Sequence, residues 1–182
     1  MGEGIVEKLG QEFDLDVQWS GVEIHPDTPP RGRPLAELFR QEDIDRMMGH
    51  LRTMGAQFGI AFADRPFLSN SRPALIAAEF ARDRDRFQQV HEAIFAAYFS
   101  QGLDIGNLDI LADILRTAGL DPESFRSAVA DGTYTNRLQQ AQQDAAAAGV
   151  TGVPTFVLAG SRTVVGAQPL DVFRQALRKT RS

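Results

Sequence analysis

The sequence predicts an α/β fold, a sheet domain with an all-helical subdomain inserted into it. Three observations carry this. Residues 15–22 alternate apolar and polar side chains, the period of a half-buried strand. Residues 155–165 hold two short apolar runs around Gly160-Ser161, the pattern of an antiparallel hairpin. Between these two regions the apolar residues recur every three or four positions, as on helices. Helices lying between separated β regions place the sheet domain at residues 1–35 and 149–182 and the helical insertion at 36–148.

Residues 3–12 read as a short helix with Ile5, Val6 and Leu9 on one side. In the 15–22 strand Leu15, Val17 and Trp19 share a face, which therefore belongs against a core. His25 to Pro34 contains four of the nine prolines and must be a loop with fixed turns. Asp43 to about Phe58 is a helix with Ile44, Met47, Met48, Leu51 and Met54 spaced three or four apart, and these methionines read as core. Ser71 is placed to cap the next helix, with Pro73 in its first turn and Leu75, Ala78 and Phe80 inward. Arg86 to Phe99 follows, with a stripe of Val90, Ile94, Phe95 and Tyr98. Asn107 caps a helix that stops at Gly119. Asp121-Pro122 opens another that ends near Gly132, and Tyr134 to Ala148 forms one more, stopped by Gly149. Thr155 to Ala159 and Arg162 to Val165 are the hairpin strands. Gly166 breaks the second, and Pro169 opens a last helix with Val172, Phe173, Ala176 and Leu177 inward.

The 182 residues are 43% hydrophobic and 24% charged, ordinary values for a globular chain of one domain or one domain with an insertion. A net charge of −5 and the lack of a basic stripe with interleaved aromatics argue against a nucleic-acid partner. No apolar run has the length of a membrane span. Met1 to Lys8 lacks the apolar centre of a signal peptide, which makes the cytoplasm the expected location. There are no cysteines, so no disulfide, thiolate nucleophile or dithiol centre can form within these residues. His25, His50 and His91 have no metal-ligand spacing and read as structural or surface histidines. The alternating run Arg82-Asp83-Arg84-Asp85-Arg86 reads as a solvated junction between helices. No metal, cofactor or phosphate-binding motif stands out.

The sharpest local signal is Gly149-Val150-Thr151-Gly152-Val153-Pro154-Thr155-Phe156, where a helix ends and a strand begins. From spacing alone Pro154 reads as a trans proline at a strand start. The alternative is a cis-Pro loop that leaves the Val153 backbone free to pair with an extended peptide or glutathione. Gly-Val-Pro-Thr-Phe, the hairpin after it, and Val165-Gly166-Ala167-Gln168-Pro169 before a helix resemble the C-terminal half of a DsbA-type thioredoxin fold, in its FrnE-like branch of dithiol–disulfide oxidoreductases. Trp19 to Pro26, Asn70 to Ala74, His91 to Phe99, Asp104-Ile105 and Gly119 to Asp121 extend the resemblance over nearly the whole chain.

That resemblance implies a thioredoxin-like (DsbA-type) sheet domain, thiol–disulfide exchange as the family activity, and a cis Val153–Pro154 bond beside the first helix. It implies that Thr151, Gly152, Val153 and Pro154 contact a cysteine-containing peptide or a glutathione-like thiol. The family's first strand and its Cys-Pro-x-Cys motif have no counterpart, since Met1-Gly2-Glu3-Gly4 runs directly into the helix. The expectation is a redox-inactive chain with no catalytic residue, either a truncated redox protein or a natural redox-dead relative. The alternatives are an enzyme resembling 2-hydroxychromene-2-carboxylate isomerase and the kappa-class glutathione transferases, or a non-catalytic peptide-binding protein. The missing central strand further implies that strand 15–22 closes onto 155–159 or that a second chain fills the gap, with self-association as a homodimer.

Overall fold

A computed structural model describes residues 2–64, 67–159 and 162–180. The chain divides into two units, Met1–Ile24 with Gln140–Ser182, and His25–Gln139. The proline-rich loop belongs to the second unit, so the division falls earlier than residues 35 and 148. Two observations account for this. The Asn70 side-chain amide donates to the Thr28 carbonyl at 2.7 Å. The short strand β1 (Arg33–Pro34) pairs antiparallel with β2 (Phe67–Leu68).

The helical unit is built from α2 (Gln41–Ala56), α3 (Arg72–Arg82), α4 (Phe87–Phe95), α5 (Leu108–Thr117), α6 (Pro122–Ala130) and the start of α7 (Thr135–Ala147), whose longer remainder belongs to the other unit. Its core gathers Phe80, Val90, Leu111, Leu115, Phe125, Tyr134 and their neighbours. Phe80 meets the rings of Phe125 and Tyr134 edge to face, at 5.9 and 6.5 Å between centroids. Asn107 and Asp121 cap α5 and α6 as their sequence positions predict: Asn107 accepts from the Asp109 N–H at 2.8 Å, and Asp121 from those of Glu123 and Ser124.

Several predicted details differ. Ser71 is already helical and makes no side-chain cap; the Asn70 side-chain Oδ1 accepts the Arg72 N–H instead. The inward face of α3 is Ala74, Ile76, Ala77, Phe80 and Ala81, with Leu75 packed at its margin. On α2 only Ile44 of the predicted stripe is buried, and Met47 is 38% exposed. The predicted 86–99 helix is α-helical to Phe95 and then widens to a π-helix over Ala96–Ser100; Phe95, next to the buried Ile94 on α4, lies outside the core. The alternating charges at 82–86 do lie between two helices, but they are bonded rather than merely solvated. Asp83 accepts from Arg137 at 2.8 Å and from the Tyr134 hydroxyl at 3.0 Å. Arg137 also reaches the buried Glu79 at 3.1 Å.

The other unit holds α1 (Gly2–Gly10), β3 (Thr155–Leu158), β4 (Arg162–Val165) and α8 (Leu170–Thr180). Ile5 and Leu9 of α1 and Phe173 of α8 are its buried apolar side chains among the described residues, while Val172, expected inward, is exposed. Phe156 of β3 meets Phe173 edge to face at 4.7 Å. Arg174 of α8 pairs at 2.6 Å with Glu12, in the turn that follows α1. The turn expected at Gly160-Ser161 lies outside the described residues.

The strand expected at 15–22 is not formed. Residues 14–20 carry no ladder, Val17 is exposed, and β3 pairs with β4 in a two-stranded sheet. The expected closure of 15–22 onto 155–159 is therefore absent. Alternation records which side of a segment faces apolar surroundings, but a strand also needs a neighbour to exchange hydrogen bonds with.

No helix among the described residues is long and apolar enough to cross a membrane.

Candidate functional site

The site begins where α7 ends. Gly149 takes φ +70°, a left-handed conformation that suits glycine, and its N–H and that of Val150 return to the carbonyls of Ala146 and Ala145 at 3.0 and 2.9 Å. These bonds stop the helix and send the chain into Thr151–Pro154. The Thr155 hydroxyl donates to the Gly152 carbonyl at 2.6 Å, and the Gly166 N–H donates to the Pro154 carbonyl at 2.8 Å. The loop is thus held at its base by β3 and by the residue that follows β4. The Val153–Pro154 bond is cis.

Of the four loop residues named from the sequence, Thr151 and Val153 are exposed and Gly152 and Pro154 half-buried. Val153 is the most open of the large apolar side chains among the described residues, at 61%. The loop lies at the N-terminus of α1. A Cβ placed on Gly2 would sit 3.2 Å from Pro154 Cβ and 3.8 Å from Phe156 Cζ. Gly2 was not singled out from the sequence, because a glycine near a chain start carries no periodic signal. Its role emerges only from what it touches, since the absent side chain lets the first turn of α1 approach the loop closely.

The first turn of a helix presents N–H groups without intrahelical partners and a partial positive charge. Placed beside an exposed loop, it suits a ligand with a thiolate or carboxylate and an extended backbone. No thiol is supplied by these residues. The histidines do not join the site: His25 and His50 are exposed in the other unit, and His91 packs there between Phe87 and Phe95 at 5.2 and 4.5 Å. Burial holds the His91 pKa below its ordinary value of 6.5.

A helix whose first turn abuts a proline loop leading into a hairpin, with a final helix covering that hairpin, defines a thioredoxin-type domain. The chain belongs to the DSBA-like thioredoxin domain family, whose model matches residues 1–178. It is 28% identical over 181 residues to the Bacillus subtilis protein YwbO, covering 97% of this chain and 88% of that protein. Its structure is similar to that of a probable DsbA oxidoreductase from Streptomyces coelicolor, with a TM-score of 0.89 and 27% identity over 98% of this chain and 82% of the other. A 2-hydroxychromene-2-carboxylate isomerase also matches, with a TM-score of 0.76 and 19% identity over 97% of this chain and 86% of the isomerase, a likeness of fold alone.

Proposed function

We propose that the Thr151–Pro154 loop and the first turn of α1 bind a cysteine-containing extended peptide or a glutathione-like thiol without exchanging disulfides through residues of this chain. The observation that carries this reading is the close packing of Gly2 on Pro154, where a Cβ on Gly2 would lie only 3.2 Å from Pro154 Cβ, beside the open Val153. The Val153 backbone offers a donor and an acceptor to an extended ligand. The N-terminus of α1 favours a thiolate or carboxylate placed against it. Disulfide exchange needs an attacking thiolate, and the 182 residues contain none. The setting we propose is the cytoplasm, where reduced thiols prevail.

Calorimetric titration with reduced glutathione and with an extended cysteine peptide tests the reading. Binding of one of them should weaken in Gly2→Leu, whose side chain fills the space before Pro154, while insulin reduction stays at background in both forms. No binding of either ligand, or unchanged binding in Gly2→Leu, would overturn it.

A further inference from the structure

The helical unit carries an open cavity of about 480 Å³ alongside α6, against the end of α3 and the turn that leads to α7. Small-molecule sites have volumes of about 300–1,000 Å³.

Arg84 forms one wall of this cavity and is held in place. Its guanidinium lies 3.5 Å over the Phe80 ring, and its Nη1 donates to the Phe80 carbonyl at 3.0 Å. The same Nη1 lies 3.5 Å from the Tyr134 hydroxyl, which is itself fixed by donating to Asp83 at 3.0 Å. Nε and Nη2 of Arg84 bond to nothing among the described residues, and Arg84 makes no ion pair there. The nearby carboxylates are engaged elsewhere. Asp83 is taken by Arg137 at 2.8 Å, Asp121 by the Ser124 hydroxyl at 2.6 Å and the first N–H groups of α6, and Glu123 by Arg126 at 3.5 Å.

Asp131 also lines the cavity. It is the C-cap of α6, and its exposed carboxylate makes no hydrogen bond or ion pair among the described residues. The C-terminal end of a helix carries partial negative charge, so a carboxylate there is unfavourable unless a cation answers it. A position that breaks a local rule without compensation marks a functional site. The hydroxyls of Ser127 and Thr133, on the same wall, also have no partner among the described residues.

We propose that this cavity binds a small zwitterion, a free α-amino acid or a short peptide, with its carboxylate on Arg84 and its ammonium on Asp131. The open Nε and Nη2 of a fixed guanidinium form the planar fork that takes a carboxylate through two bonds. A simple anion would leave Asp131 unanswered and meet the repulsion of Asp121 and Glu123. A simple cation would meet the repulsion of Arg84. A ligand carrying both charges satisfies both walls, and the Ser127 and Thr133 hydroxyls remain to bond its polar groups.

Titration with glycine, diglycine and triglycine, followed by the amide and arginine Nε–H signals in NMR spectra, tests this. At least one probe should bind reversibly and shift the Arg84 Nε–H and the Asp131 and Thr133 amides. The tightest of the three tells a free amino acid from a peptide. Its N-acetylated form and its C-terminal amide should each bind about tenfold more weakly or worse, each having lost one charged contact. Asp131→Asn should weaken binding by a similar factor while keeping or raising the thermal midpoint, because it removes a negative charge from the end of α6. No saturable binding of any probe, or equal binding of the acetylated or amidated form, would overturn the proposal. So would an Asp131→Asn chain that binds as tightly as the parent or melts lower.

Discussion

The helical unit and the sheet unit solve the same problem with unequal means. The helical unit gathers sixteen buried side chains into one cluster, and the starts of α5 and α6 are satisfied locally by Asn107 and Asp121. The sheet unit buries Ile5, Leu9 and Phe173 among its described residues, and leaves one hairpin face and one strand edge open. A helix satisfies its backbone within itself, so helices can close a core from side chains alone. A strand satisfies only half of its backbone groups per neighbour, so a two-stranded sheet is marginal by itself. The candidate site lies in the less closed unit. Binding surfaces are commonly drawn from regions of low local stability.

The sharpest way to break this comparison is to remove one large ring from each unit. Phe125→Ala should cost about 3–5 kcal/mol and lower the midpoint of helical unfolding followed by circular dichroism. Trp19, the one tryptophan, lies in the sheet unit and should report a smaller shift by fluorescence. Phe173→Ala should reverse the order, with the larger shift in the Trp19 signal. Coincident shifts by both probes in both variants would show that the units unfold as one.

A smaller effect concerns Arg137, which holds Asp83 and Glu79. Its hydrogen bond keeps the Asp83 carboxyl below the ordinary value of 3.8. A carboxyl depressed in the folded state adds stability above that value, and the stability is lost as pH falls through the folded pKa. Arg137→Met should lower stability at neutral pH and flatten this acid dependence. Denaturant midpoints between about pH 2 and 7 would check it, and an unchanged acid slope would count against the assignment.

The smallest expected effect belongs to His91. Its folded pKa is lowered by burial, so the unfolded chain takes up the proton first. Stability should therefore fall as pH drops below 6.5, until the folded imidazole titrates in turn. His91→Phe should keep the aromatic row and remove that slope. A stability profile of the helical unit that is the same for both chains between pH 5 and 7 would sink the prediction, these limits being about the range in which histidine titrates.

Local chemistry was the most legible part of the sequence. The caps at Asn107 and Asp121 and the breaks at Gly119 and Gly149 need only residues within a few positions of one another, and the structure has all of them. The Thr151–Pro154 loop was legible as a helix-to-strand junction for the same reason. Ser71 misled because its neighbour Asn70 reaches the same helix start. Phe95 misled because it directly follows the buried Ile94, about 100° round α4 from the Val90–Ile94 face.

The sequence by itself determined the order of the helices, the absence of a thiol among these residues and the family pattern, since each is written in residue identity and spacing. Tertiary structure alone decided that Gly2 meets Pro154 and that 15–22 forms no strand. The physical reason is range. Caps and turns are settled by bonds between near neighbours, whereas a strand, a sheet edge and a close approach exist only once segments distant in the chain have been brought together.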